Sequence, residues 1–157
     1  QISYRPPGAK KFIPVFEPSD QPRNVKNANL PAEQFTDGTY RFRLDVTDEP
    51  TNGAPGALTH QAEFPLVLLD RTPPTVELNQ EGDHVRWQVS DPSSRISKVD
   101  YRVDGGPWQS LTSEDGLFDS PQEAGRFATG SNPGGSVVDV RAADERENSR
   151  IYSLILK

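Results

Sequence analysis

Twenty-three carboxylates, two histidines and two tryptophans are the side chains through which this chain could do chemistry. His60 and His84 each fall in or beside a predicted turn, with no serine–acid or metal-ligand spacing around them, and read as solvated surface residues. The carboxylates crowd the predicted strand ends: Asp45, Asp48, Glu49 and Asp70 in one half, Asp91, Asp144, Glu145 and Glu147 in the other. Calcium takes several such oxygens, but EF-hand spacing is absent, and strand ends call for turn-forming Asp in any case. No metal and no cofactor are assigned. A glycosidase pair needs two carboxylates held a fixed distance apart across a cleft, and nothing singles out a pair. No residue is expected to be catalytic, and an enzyme is not expected. The absence of cysteine excludes disulfides and thiolate metal sites.

The aromatic residues divide by the elements that must carry them. Tyr40, Phe42, Trp87 and Tyr101 lie at alternating inward positions of predicted strands and read as core. Phe12 and Trp108 fall on predicted edge strands, which makes them the aromatic candidates for a binding surface. The predicted strands are Gln1–Arg5, Lys11–Phe16, a run opened by Asp37-Gly38, Ala62–Leu69, Thr75–Asn79, Val85–Val89, Ile96–Val103, Trp108–Leu111, Val137–Ala143 and Ile151–Leu156. A short strand is also expected around Val25. Pro14 and Pro65 suit edge strands or a bulge. Thr112–Pro133 reads as polar, pinned to the core by Leu117, Phe118 and Phe127. No segment carries helical periodicity with caps, so the chain is expected to be all-β.

Composition narrows the function classes. The chain is 32% hydrophobic with a net charge of −6, and it lacks a basic stripe, which argues against nucleic acid as a partner. No run approaches the ~20 apolar residues of a membrane span. Fifteen prolines and twelve glycines imply many short elements joined by turns. The chain has no methionine, and so reads as a processed product or an internal fragment of a longer protein.

The two halves also resemble each other. Gly38–Glu49 aligns without gaps on Gly134–Glu145, 96 positions on, and the same offset carries Asn52 onto Asn148 and Phe12 onto Trp108. Ser3-Tyr4-Arg5 matches Asp100-Tyr101-Arg102 at an offset of 97. Between the copies stands Asp70-Arg71-Thr72-Pro73-Pro74, whose paired prolines favour a short, semi-rigid link. The expected organisation is a first module over residues 1–70, a proline linker over 71–74 and a second module over 75–157. Carrying the second module's start back by the same offset leaves the first module short of about two N-terminal strands. The missing part of the same precursor, or another chain, is the partner expected to complete it.

Seven short strands in roughly 95 residues, with Trp87 in Val85-Arg86-Trp87-Gln88-Val89 and Tyr101 in Val99-Asp100-Tyr101-Arg102-Val103, resemble fibronectin type III and related bacterial immunoglobulin-like modules. The Asp-Gly-Thr-Tyr-Arg phrase and the Asp-Arg-Thr-Pro-Pro link are similar to tandem modules that follow β-propellers in large secreted bacterial proteins. The resemblance implies two immunoglobulin-like antiparallel sandwiches in tandem, a secreted or periplasmic location, and a non-catalytic spacing, packing or interaction role. It also implies that partners bind at the loop Asp48–Thr59 and its counterpart Asp144–Arg150, which carry Asn52 and Asn148. An ordinary Pro/Gly-rich connection is the plainer reading of that loop. A carbohydrate- or protein-binding accessory module of an extracellular hydrolase, using Trp108 and Phe12, is the alternative from another functional class.

Overall fold

Residues 1–17, 27–130 and 134–157 are described by the computed structural model. Within them the chain divides into two compact units, Gln1–Leu69 and Asp70–Lys157. All strand pairs are antiparallel. No helix among the described residues is long and apolar enough to cross a membrane.

The first unit contains β1 (Ile2–Arg5), β2 (Ile13–Pro14), β3 (Gly38–Thr47), β4 (Thr59–Glu63) and β5 (Val67–Leu69). Its sheet runs β2-β1-β3-β4, with β5 also on β3. The strand expected over 62–69 is thus two strands. Arg43–Thr47 of β3 face Thr59–Glu63, whereas Gly38–Tyr40 face Val67–Leu69. Pro65 stands in the break, where it withdraws a backbone donor from the ladder. The loop after β3 holds a one-turn helix, α1 (Glu49–Asn52), with Pro50 in its first turn.

Val15, Phe35 and Tyr40 form the buried centre of this unit, packed by Ile2, Tyr4, Phe42 and Leu69. Phe35 follows a 3₁₀ turn at Ala32–Gln34. Its ring meets Tyr4, Tyr40 and Phe42 edge-on at centroid distances of 5.0, 5.5 and 5.7 Å. Each such pair adds about 0.5–1.5 kcal/mol beyond area burial. Among the described residues no second sheet faces the first. The segment just ahead of β3 covers its aromatic face instead. The hydroxyl of Tyr40, near the start of β3, donates to the Thr36 carbonyl at 2.9 Å and ties that segment down. The strand expected around Val25 lies outside the described residues.

The second unit contains β6 (Thr75–Glu81), β7 (His84–Ser90), β8 (Ile96–Val103), β9 (Gln109–Ser110), β10 (Gln122–Ala128), β11 (Val137–Asp144) and β12 (Ser149–Ile155). They form a three-stranded sheet, β10-β7-β6, and a four-stranded sheet, β12-β11-β8-β9. Period-two alternation explains the core. Val85, Trp87 and Val89 of β7 are buried while Arg86 and Gln88 face out; Val138, Val140 and Ala142 of β11 do the same for the other sheet. With Val76, Ile96, Val99, Phe127 and Leu156 they make one core shared by both sheets, the arrangement of a β-sandwich.

Strand β10 falls inside the stretch expected to be a polar connection, and its inner face explains the difference. The residues it turns inward are Glu123, Gly125 and Phe127, of which one is apolar and large. Gly125 lies opposite Trp87, and the indole of Trp87, fully buried, fills the space a side chain would take. The buried Glu123 carboxylate accepts the Ser113 hydroxyl at 2.7 Å and the Asp119 and Ser120 amides at 3.1 and 3.0 Å. It anchors the loop ahead of its own strand. Hydrophobic periodicity has nothing to register in such a strand.

The residues expected to form a linker belong to the second unit. Pro74 is fully buried, its carbonyl accepts the Tyr152 hydroxyl at 3.1 Å, and Asp70 is 9% exposed.

Candidate functional site

Trp108 and Phe12, the aromatic residues expected at a surface, are half-buried on the outer face of their sheets. The guanidinium carbons of Arg102 (β8) and Arg141 (β11) each lie 4.5 Å from the centroid of Trp108. Arg102 and Arg141 share this face because cross-strand pairing sets Arg102 against Asp139 and Arg141 against Asp100. Both arginines are also ion-paired, Arg102 to Asp139 at 2.9 Å and Arg141 to Asp100 at 2.7 Å. Lys98 adds a third cation 3.0 Å from Asp100. The same placement occurs in the first unit, where Arg43 and Arg5 lie 4.5 and 5.3 Å from the ring of Phe12. Arg43 pairs with Asp45 at 3.0 Å. These cation–π contacts cost the rings part of the face that a stacking ligand would use.

The carboxylates in these clusters titrate low. Burial pushes Asp100 upward, but hydrogen bonds from Arg141, Lys98 and Ser110 outweigh it and hold the group below the ordinary carboxylate value. The Ser153 hydroxyl lowers Asp139, against partial burial, with further help from Arg102. The Gln61 amide does most to lower Asp45, aided by Arg43. Arg102, Asp139 and their counterparts were not singled out by sequence reasoning. Their signal was present as alternate charges on strands whose other face is apolar.

Asn52 and Asn148 are structural partners of their own loops. The Asn52 amide donates to Asp48 Oδ2 at 2.7 Å, and Asp48 Oδ1 accepts the Leu58 amide at 2.7 Å. In the second unit the Asn148 amide donates to Asp144 Oδ2 at 2.8 Å, and Asp144 Oδ1 accepts the Arg146 and Asn148 backbone amides at 2.7 and 2.9 Å. An aspartate at the end of a strand and an asparagine four residues on thus close each loop from inside. The histidines belong to different units: His84 Nδ1 lies beside Asp83 Oδ1 at 2.6 Å, and His60 is exposed on β4.

One grouping of chemistry-bearing side chains emerges among the described residues. Asp70, Asp91 and Asp144 each bring a carboxylate oxygen within 4.8 Å of the others. They come from the segment entering the second unit, the residue after β7 and the last residue of β11. Local backbone sets each orientation. Asp70 Oδ1 accepts the Thr72 amide at 3.1 Å, and Asp91 Oδ1 accepts the Ser93 and Ser94 amides, each at 2.8 Å. The second oxygens of Asp70 and Asp91 are buried with no hydrogen-bond partner. No lysine, arginine or histidine among the described residues pairs with any of the three. Ionised together at that spacing, the groups repel by about 3–4 kcal/mol per pair at an effective dielectric of about 20. By sequence these three are strand-end residues of two different modules; the structure places all three in the second unit.

No protein-family model matches the chain, and neither the curated proteins nor the solved structures contain a match to it.

Proposed function

We propose that the chain is a pair of immunoglobulin-like modules of the fibronectin type III kind, serving without catalysis as a spacing, packing or interaction element of a secreted or periplasmic bacterial protein. The observation that carries this reading is that the first unit's sheet, β2-β1-β3-β4, has the strand order of β9-β8-β11-β12. Its pairs correspond as well: Tyr4 faces Ile13 and Phe42 as Tyr101 faces Gln109 and Val140. In this correspondence Arg5, Phe12 and Arg43 take the places of Arg102, Trp108 and Arg141. Phe42 falls on Val140 rather than on the Val138 of the gapless alignment, a two-residue displacement that keeps every side chain on its face.

Two further features support the reading. The seven strands of the second unit, in sheets of three and four with the sequence order seen here, follow the connectivity of a fibronectin-type sandwich. The bond from the Tyr40 hydroxyl to a carbonyl four residues upstream has the form of a tyrosine corner. The covered faces of Trp108 and Phe12 favour a structural role for them over a sugar platform. A glycan array and a panel of glycoside, ester and peptide substrates, applied to the intact chain, test the reading. Silence in both is expected. Saturable glycan binding that quenches Trp108 fluorescence would replace it with the accessory-module reading, and specific turnover would overturn it.

A further inference from the structure

The geometry points to a divalent cation site of the calcium type at Asp70, Asp91 and Asp144. The donor set is oxygen only, which suits a hard cation; thiolate is absent from the chain and neither histidine is in the group. A cluster of acids alone would not suffice, since strand ends collect aspartates as turn formers. Here, however, Asp91 is 5% exposed and Asp70 is 9% exposed, and Oδ2 of each is buried without a donor. Buried acceptors are almost always satisfied, so two carboxylates of one group that each keep an orphaned oxygen call for a partner that the chain's own donors do not supply. Their other oxygens are fixed by backbone amides, so the free ones are held ready at no further ordering cost.

The spacing bears on the ion. Calcium binds oxygen at about 2.3–2.6 Å, so its ligands stand up to about 4.6–5.2 Å apart across the ion. Magnesium, at about 2.0–2.1 Å, spans only about 4.2 Å. Three oxygens all within 4.8 Å of one another lie within the span of a calcium shell. Three carboxylates leave the remaining positions of a six- to eight-fold shell to water and carbonyl oxygens. That places affinity in the range of extracellular modules, with Kd on the order of 10⁻⁴–10⁻³ M. The bound ion would join the segment that enters the second unit to the ends of β7 and β11.

The test uses the whole chain, stripped with EDTA and titrated with calcium chloride while backbone amides are followed by NMR. Shifts are expected at Thr72, Ser93, Ser94, Arg146 and Asn148, whose amides bind these three carboxylates. At about 10 mM calcium the Tm of the second unit should rise by about 5–20 °C, with magnesium giving a small fraction of that. Asp70→Asn and Asp91→Asn should each weaken calcium binding at least tenfold while raising the Tm in EDTA, because each removes one of three like charges. The charge-free gain separates ion binding from a purely structural role for the carboxylates. An unmoved set of amides, shifts centred elsewhere, equal stabilisation by magnesium, or calcium responses retained in both variants would each overturn the assignment. If one variant fails to fold, the other and the wild-type amide map still decide.

Discussion

Gly125 of β10 faces Trp87 of β7, and a Cβ placed on it would lie 2.5 Å from Cζ2, 2.7 Å from Cε2 and 2.9 Å from Nε1 of the indole. Its backbone is not in the left-handed region, so an alanine there meets no conformational strain. On that ground alone Gly125→Ala would stabilise by about 0.4–1 kcal/mol, through the entropy lost by the unfolded chain. The contacts reverse the sign. Overpacking a filled core costs about 1–3 kcal/mol, and the atoms met are those of a rigid, fully buried indole. The net expectation is a loss of about 2 kcal/mol, or about 10 °C in Tm for a unit of this size.

Trp87→Phe supplies the control. Phenylalanine lacks the part of the indole that crowds Gly125, and it also removes Nε1, a buried donor with no partner. The cavity cost is therefore offset by about 1–3 kcal/mol of relieved desolvation. In the Trp87→Phe background Gly125→Ala should be neutral or stabilising, giving a coupling energy of about 2–3 kcal/mol. Both tryptophans lie in the second unit, so urea unfolding followed by tryptophan fluorescence reports that unit, with Trp108 as the probe once Trp87 is replaced. A Gly125→Ala protein as stable as wild type would refute the packing argument. An equal loss in both backgrounds would show that the penalty does not come from the indole.

Asp100, Asp139 and Asp45 are all lowered in the folded state, so the stability they confer is complete above the unfolded value of about 3.9 and is lost as pH falls through their lower folded values. Asp100→Asn should accordingly flatten the acid limb of a Tm-against-pH curve below about pH 4, while lowering Tm at neutral pH by leaving Arg141 and Lys98 unpaired. Asn148→Ala removes the amide that binds Asp144 and the Asp70 carbonyl, and should cost about 1–3 kcal/mol in urea unfolding; Asn52→Ala, in an exposed loop, should cost under about 1 kcal/mol. Tyr152→Phe breaks the bond to the Pro74 carbonyl; a loss of about 0.5–1.5 kcal/mol is expected, and hydrogen exchange at Thr75 and Val76 should quicken if that bond pins the entering segment.

The strands that could be read from the sequence are those whose inner face is filled by their own side chains. Val137–Asp144 and His84–Ser90 alternate without exception, and their limits were legible to within a residue or two. Gln122–Ala128 escaped because its inner positions hold a glycine that yields to Trp87 and a glutamate that serves the preceding loop. Both residues take their meaning from partners far away in the chain. The stretch 62–69 reads as one strand for a related reason: Pro65 signals an irregularity but does not say whether the chain bends within one strand or divides into two. Only the pairing to β3 decides that.

The candidate site shows the same limit more sharply. Asp70, Asp91 and Asp144 are separated by 21 and 53 positions, and each on its own is an ordinary turn aspartate that binds the amides two to four residues ahead of it. Nothing local distinguishes them from Asp115, which does the same with the Leu117 amide. What distinguishes them is that two strand ends and the entering segment arrive at one place, and that two carboxylates, having spent one oxygen on the turn, retain the other in a buried position without a donor. A turn residue becomes a candidate ligand when the fold withholds water from its second oxygen. That property belongs to the sheet order rather than to any motif, and a search by spacing passes over it.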